Sequence, residues 1–91
     1  MKSITVSHIL VKSEYEAQDI LRLLKDGKPF EEMAKKYSQC SSAPEGGYLG
    51  LVPVARLDDD FADAALLLKS NEISTKPVRT KFGYHLIKRH S

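Results

Sequence analysis

Cysteine is nearly absent from this chain: Cys40 stands alone, so no intrachain disulfide can form and the disulfide-stapled class of small secreted domains is excluded. Long apolar runs are missing too. The longest, Ala64 to Leu68, falls far short of the ~18 residues that a membrane span requires. Nor does one sign of charge prevail. Lys+Arg number 14 against 12 Asp+Glu, and a net charge of +2 lacks the basic excess of a typical nucleic-acid binder. Met1-Lys2-Ser3 does not open a secretory leader, so a cytoplasmic setting without a membrane partner is expected. What remains is 91 residues, 42% hydrophobic and 29% charged, with room for one core and no second: a single α+β domain over residues 1–91.

The pattern alternates between strand and helix. Ile4 to Val11 is rich in β-branched residues without a breaker and reads as a strand. Its alternation puts Ile4, Val6, His8 and Leu10 on one face and Thr5, Ser7, Ile9 and Val11 on the other. Both faces are largely apolar, as in a central strand covered on each side. Ser13 followed by Glu16 fits a capping box, and Ala17, Ile20, Leu21 and Leu24 then trace a helical stripe that ends at Gly27. Phe30, Met33, Ala34 and Tyr37 repeat the spacing after Pro29. Ser38 to Gly50 is loop chemistry, and Tyr48 to Val52 forms a short strand leaving it. Asp58, Asp59 and Asp60 suit a helix start, with Phe61, Ala65 and Leu68 continuing the helix and Ser70-Asn71 ending it. Strands near Lys76 to Arg79 and Tyr84 to Arg89 close a mixed sheet.

Two histidines, His8 and His85, fall mid-strand. A lone buried histidine is ordinarily a hydrogen-bonded core residue. A pair on adjacent central strands can instead fix each other's tautomer through a ring-to-ring hydrogen bond. His90, at the chain end, is expected to be solvated. Cys40 with a histidine raises a Cys–His nucleophile or a metal site, but there is no C-x-x-C, no H-x-x-H and no evident fourth ligand. Gly46-Gly47 and Gly50 lack the P-loop lysine and the dinucleotide spacing, and read as tight backbone turns. Four acids between Asp58 and Asp63 contrast with Lys76, Arg79, Lys81, Lys88 and Arg89 in an acid-free tail, as solvated surfaces.

Several of these segments, in this order, resemble the parvulins, a family of peptidyl-prolyl cis/trans isomerases. They are His8-Ile9-Leu10-Val11, Phe30, Ala34-Lys35-Lys36-Tyr37-Ser38, Gly46-Gly47-Tyr48-Leu49-Gly50, Phe61 and Phe82-Gly83-Tyr84-His85-Leu86-Ile87-Lys88. The resemblance implies a four-stranded, mostly antiparallel sheet wrapped by helices, in the parvulin-like (FKBP-like) manner, with a shallow peptide groove. It implies that His8 and His85 are the paired histidines, with Thr80 hydrogen-bonded to them and Cys40 beside the reacting amide. Leu57, Phe61 and Phe82 are then the pocket for the proline ring.

The implied partners are proline-containing peptides and partly folded proteins, handled by a free-standing monomer assisting protein folding without metal or cofactor. A binder of extended peptides that does not isomerise them is the alternative. Leu51-Val52-Pro53-Val54-Ala55-Arg56 departs from an aromatic, Gly-rich turn usual in the family. Lys12 is the only base after the first strand, so phospho-Ser/Thr specificity is not expected.

Overall fold

The computed structural model describes residues 2–91, so the first residue of the Met1-Lys2-Ser3 start lies outside the described residues. The elements are β1 (Ser3–Val11), α1 (Glu14–Lys25), α2 (Phe30–Tyr37), β2 (Tyr48–Pro53), α3 (Asp59–Leu67), β3 (Val78–Thr80) and β4 (Gly83–Arg89), with short 3-10 turns at Ala43–Glu45 and Val54–Arg56. The strands form one four-stranded sheet in the order β2-β1-β4-β3. Every pairing is antiparallel, which corrects the mixed sheet read from the sequence. The reason lies in the connections. The chain returns through helices to the opposite side of β1, and β3 joins β4 by a tight turn.

The alternation of β1 divides the core. Ile9 and Val11, with Leu86 of β4, pack under α1 and α2 against Ile20, Leu21, Phe30 and Met33. Ile4 and Val6, with Ile87, pack against Phe61 and Ala65 of α3 on the other face. A fully buried side chain of this size is worth ~1.5–3 kcal/mol, so the two central strands supply much of the stability.

Local signals explain most boundaries. The Ser13 hydroxyl accepts the Glu16 amide at 3.1 Å, the forward half of a capping box, and Glu14 and Glu16 favour the positive end of α1. Asp58 caps α3 by accepting the Asp60 amide at 3.1 Å.

Two boundaries differ from expectation. Helix α3 stops at Leu67, short of Ser70-Asn71, because Leu68 is already extended and Arg89 Nη1 takes the Leu66 and Leu68 carbonyls at 3.3 and 2.9 Å. Strand β3 starts at Val78, two residues after Lys76, because Pro77 has no amide to give a ladder. His90 is also not a solvated end. Its amide donates to Thr5 O at 2.8 Å, and its Nε2 lies 2.7 Å from Ser7 Oγ beside the Tyr48 ring.

Candidate active site

The pairing of β1 with β4 sets Leu10 opposite His85 and His8 opposite Ile87, so the two histidines are diagonal neighbours on one face. Their rings lie within 18° of parallel, with Nδ1 to Nδ1 at 3.0 Å. Phe61 from α3 meets both edge-on, at ring centroid distances of 5.6 Å and 5.1 Å. Thr80 Oγ1 lies 2.7 Å from His85 Nε2 and accepts the Phe82 amide at 3.2 Å.

These contacts join Thr80, His85 and His8 in one hydrogen-bonded chain. Thr80 Oγ1 takes the Phe82 amide on one lone pair and keeps its proton and its second lone pair for His85 Nε2. A single proton bridges the two Nδ1 atoms, which leaves the other ring nitrogen of His8, Nε2, outside the chain. That last nitrogen is buried without a hydrogen-bond partner.

The loop bearing Cys40 is fastened where β2 stops. Pairing of β1 with β2 shifts register at Val6/Ser7 and ends at Ser7 opposite Tyr48. The loop then takes over the free edge of β1. His8 N donates to Gly47 O at 2.9 Å, Gln39 N to Leu10 O at 2.7 Å, and Leu10 N to Ser38 Oγ at 3.0 Å. This substitution of loop for strand brings Cys40 beside His8.

A pocket of about 290 Å³ results, with His8, Cys40 and His85 on one side and Leu57, Phe61 and Phe82 around it. Thr80 sits behind His85 and does not line it. Sequence reasoning missed Leu10, Leu49, Arg56 and Asp58, which also line the pocket. For Leu10 the signal was present, since alternation sets it on the His8 face. Asp58 was recognised only as a helix cap. Among the described residues no three His, Cys, Asp or Glu side chains gather into a cation site, and no helix is long and apolar enough to cross a membrane.

The electrostatics keep both rings neutral. Burial, reinforced by the neighbouring His85, lowers the His8 pKa from 6.5 to about 4. Burial likewise brings His85 to about 4, against the opposing pull of the Asp58 carboxylate. Partial burial pushes the Cys40 thiol up, but the hydroxyls and amides of Ser42 and Ser41 outweigh it and hold the thiol below its usual value.

Since the folded rings resist protonation, the unfolded chain takes up protons first. The histidine contribution to stability is therefore intact above pH 6.5, declines as pH falls toward about 4, and levels off below. The ring carbons of His8 and His85 should show no titration in NMR spectra at pH 6; a midpoint near 6.5 in either would contradict the paired, neutral arrangement. His8→Ala and His85→Ala should each cost about 1–3 kcal/mol, because each strands its partner's buried nitrogen. Wild-type melting of both variants would refute that dependence.

With this geometry in place, comparison with known proteins is informative. Residues 8–91 match the family model for Rotamase, the PPIC-type PPIASE domain. The chain belongs to this PPIC-type PPIase family. It is 45% identical over 87 residues to the foldase protein PrsA of Bacillus subtilis, covering 94% of this chain and 30% of that protein. The crystal structure of PrsA from Bacillus subtilis superposes with a TM-score of 0.93 at 43% identity, over 98% of this chain and 35% of that one. The solution structure of NmPin, the parvuline of Nitrosopumilus maritimus, superposes with a TM-score of 0.86 at 40% identity, over 100% of this chain and 98% of that one. The chain thus spans about a third of the length of the curated foldases it matches. The PPIase family and the α+β fold expected from the sequence are both met.

Proposed function

We propose that this chain is a peptidyl-prolyl cis/trans isomerase, acting without a covalent intermediate on Xaa–Pro bonds of proline-containing peptides and partly folded proteins. The observation that carries the reading is the pocket itself: an apolar rim of Leu57, Phe61 and Phe82 set over a neutral, hydrogen-bonded histidine pair.

The chemistry required is modest. Amide resonance sets a rotation barrier of ~18–20 kcal/mol, and for Xaa–Pro the exchange takes tens of seconds or more. No bond breaks, so the protein must only favour the twisted amide over both planar forms. Leu57, Phe61 and Phe82 hold the proline ring fixed while the preceding carbonyl turns. The twisted carbonyl has lost resonance and is less polar, so a desolvated pocket opposes it less than it opposes the planar amide. Cys40 lies where the carbonyl swings, and His8, which lines the pocket, has its buried Nε2 without a hydrogen-bond partner in the protein. Lowering the barrier by ~4–6 kcal/mol accelerates exchange roughly 10³–10⁴-fold.

Without a covalent step the thiol is replaceable. Cys40→Ser should retain activity within about tenfold of wild type, whereas a loss beyond ~10³-fold, the size of a removed nucleophile, would favour a covalent route. The proposal includes a neutral or apolar residue before proline. In its support, the base on the pocket rim, Arg56, is offset by the Asp58 carboxylate two residues away. A peptide series in which phospho-Ser-Pro is isomerised tenfold faster than Leu-Pro would overturn that preference. The unpaired thiol at the pocket suits a reducing compartment, which supports the cytoplasmic setting within the same proposal.

A further inference from the structure

A groove of about 850 Å³, larger than the proline pocket, runs on the far side of the Thr80–Phe82 turn, between α3 and the Ser74–Lys81 segment. We propose that it binds the chain flanking the Xaa–Pro bond of an unfolded protein substrate, as an extended strand laid along β3. The inference deepens the isomerase reading and rests on it.

Backbone chemistry is the first argument. The sheet order makes β3 an edge, paired with β4 on one side only. In an antiparallel ladder every second residue turns its N–H and C=O away from its partner, so an edge strand offers hydrogen bonds to an added chain. The second argument is the groove's surface. Ala64, Leu67, Leu68 and Val78 line it together, so Leu67, 84% exposed at the end of α3, is part of an apolar stretch and not a single surface residue.

Charge narrows the occupant. The α3 wall carries Asp60 and Asp63, while the opposite wall carries Lys76, Arg79 and Lys81. Walls of opposite sign match neither a nucleic acid nor an anionic lipid surface, and suit a polypeptide of mixed composition. Pro77, with Arg79 on β3 and Lys76 and Lys81 flanking it, also disfavours pairing of this edge with the same edge of a second copy.

Continuity is the last argument. Asp60 and Lys81 line the groove, while Asp58, Phe61 and Phe82 line the proline pocket. The start of α3 and the β3–β4 turn thus border both sites. A chain whose proline sits against Phe82 passes into the groove beside Lys81. Thr80 links them chemically, lining the groove while its hydroxyl holds His85 at 2.7 Å.

The test compares two substrates, a four-residue Xaa–Pro peptide and a reduced, carboxymethylated polypeptide carrying the same Xaa–Pro step. Leu67→Glu and Arg79→Glu, both at exposed positions, should leave the short peptide's kcat/KM unchanged. For the long chain they should raise KM about tenfold, the scale of one buried apolar contact, with kcat retained. Equal effects on both substrates, or none on either, would overturn the groove. Hydrogen exchange of the Val78–Thr80 amides provides a readout independent of catalysis. Exchange slowed by the unfolded polypeptide supports strand addition even if no isomerisation is found, and exchange unchanged at saturating polypeptide refutes it.

Discussion

Gly47→Ala is expected to destabilise the domain by about 3–5 kcal/mol, most of what a small domain commonly has. Gly47 has φ +81°, a region where an L side chain costs ~1–2 kcal/mol by itself. The larger cost comes from contact. A Cβ there would lie 2.2 Å from His8 O and 3.1 Å from the Ala34 Cβ. The carbonyl belongs to the central strand and cannot swing aside as a flexible side chain would. Either β1 shifts at His8 or the loop loses the His8 N to Gly47 O hydrogen bond, and both disturb the histidine pair. The melting temperature should fall by roughly 15–30 °C. Gly27→Ala is the matched control: φ is +100°, but nothing lies within 4 Å of the added carbon, so its loss should stay near 1–2 kcal/mol. Equal melting of the two variants would show that the close approach at Gly47 does not constrain the fold.

Phe61→Ala carries the second large effect, because one ring serves both core and pocket. The side chain is 4% exposed, packs with Ile4, Val6 and Ile87, and forms a wall of the pocket over both histidines. Truncating a buried phenylalanine costs about 3–5 kcal/mol. Loss of the proline-ring wall should lower kcat/KM by roughly 10²-fold in protein that remains folded at low temperature. Phe82→Ala separates the two roles. Phe82 is 53% exposed, with Lys81 Nζ 5.3 Å from its ring centroid, and belongs to neither core cluster. Its removal should reduce activity while changing stability by less than about 1 kcal/mol. Retained activity in folded Phe61→Ala would remove this ring from the proposed machinery.

The parts legible in the sequence share a physical cause, which is short-range periodicity. Alternation along β1 assigned His8 to the face of Ile4 and Val6, and the structure puts α3 over that face. The stripe Ala17, Ile20, Leu21 faces the core of α1, and Phe30, Met33 and Ala34 do so in α2. Pairing of His8 with His85 was also accessible, because both are mid-strand histidines in apolar runs.

What remained hidden depends on contacts between distant segments. Periodicity carries no strand direction, so the sheet read as mixed. The end of α3 is set by Arg89, more than twenty residues away, through the Leu66 and Leu68 carbonyls. Arg56 enters the pocket from the 3-10 turn after β2 and Leu49 from the start of β2 itself, and neither has a local signature. The hydroxyl partner of His85 came from family resemblance alone; nothing in Thr80's neighbours announces it. His90 looked free because the Ser7 it meets lies at the opposite end of the chain.

The central claim is that a neutral histidine pair under an apolar pocket accelerates Xaa–Pro rotation. Exchange spectroscopy on a short Leu-Pro peptide tests it most directly, comparing cis/trans cross-peaks with and without a substoichiometric amount of the folded protein at pH 7. The account predicts exchange cross-peaks at mixing times of a second or less, where the peptide alone shows none. Unchanged exchange from folded protein, for Leu-Pro and every other Xaa-Pro peptide, would contradict it.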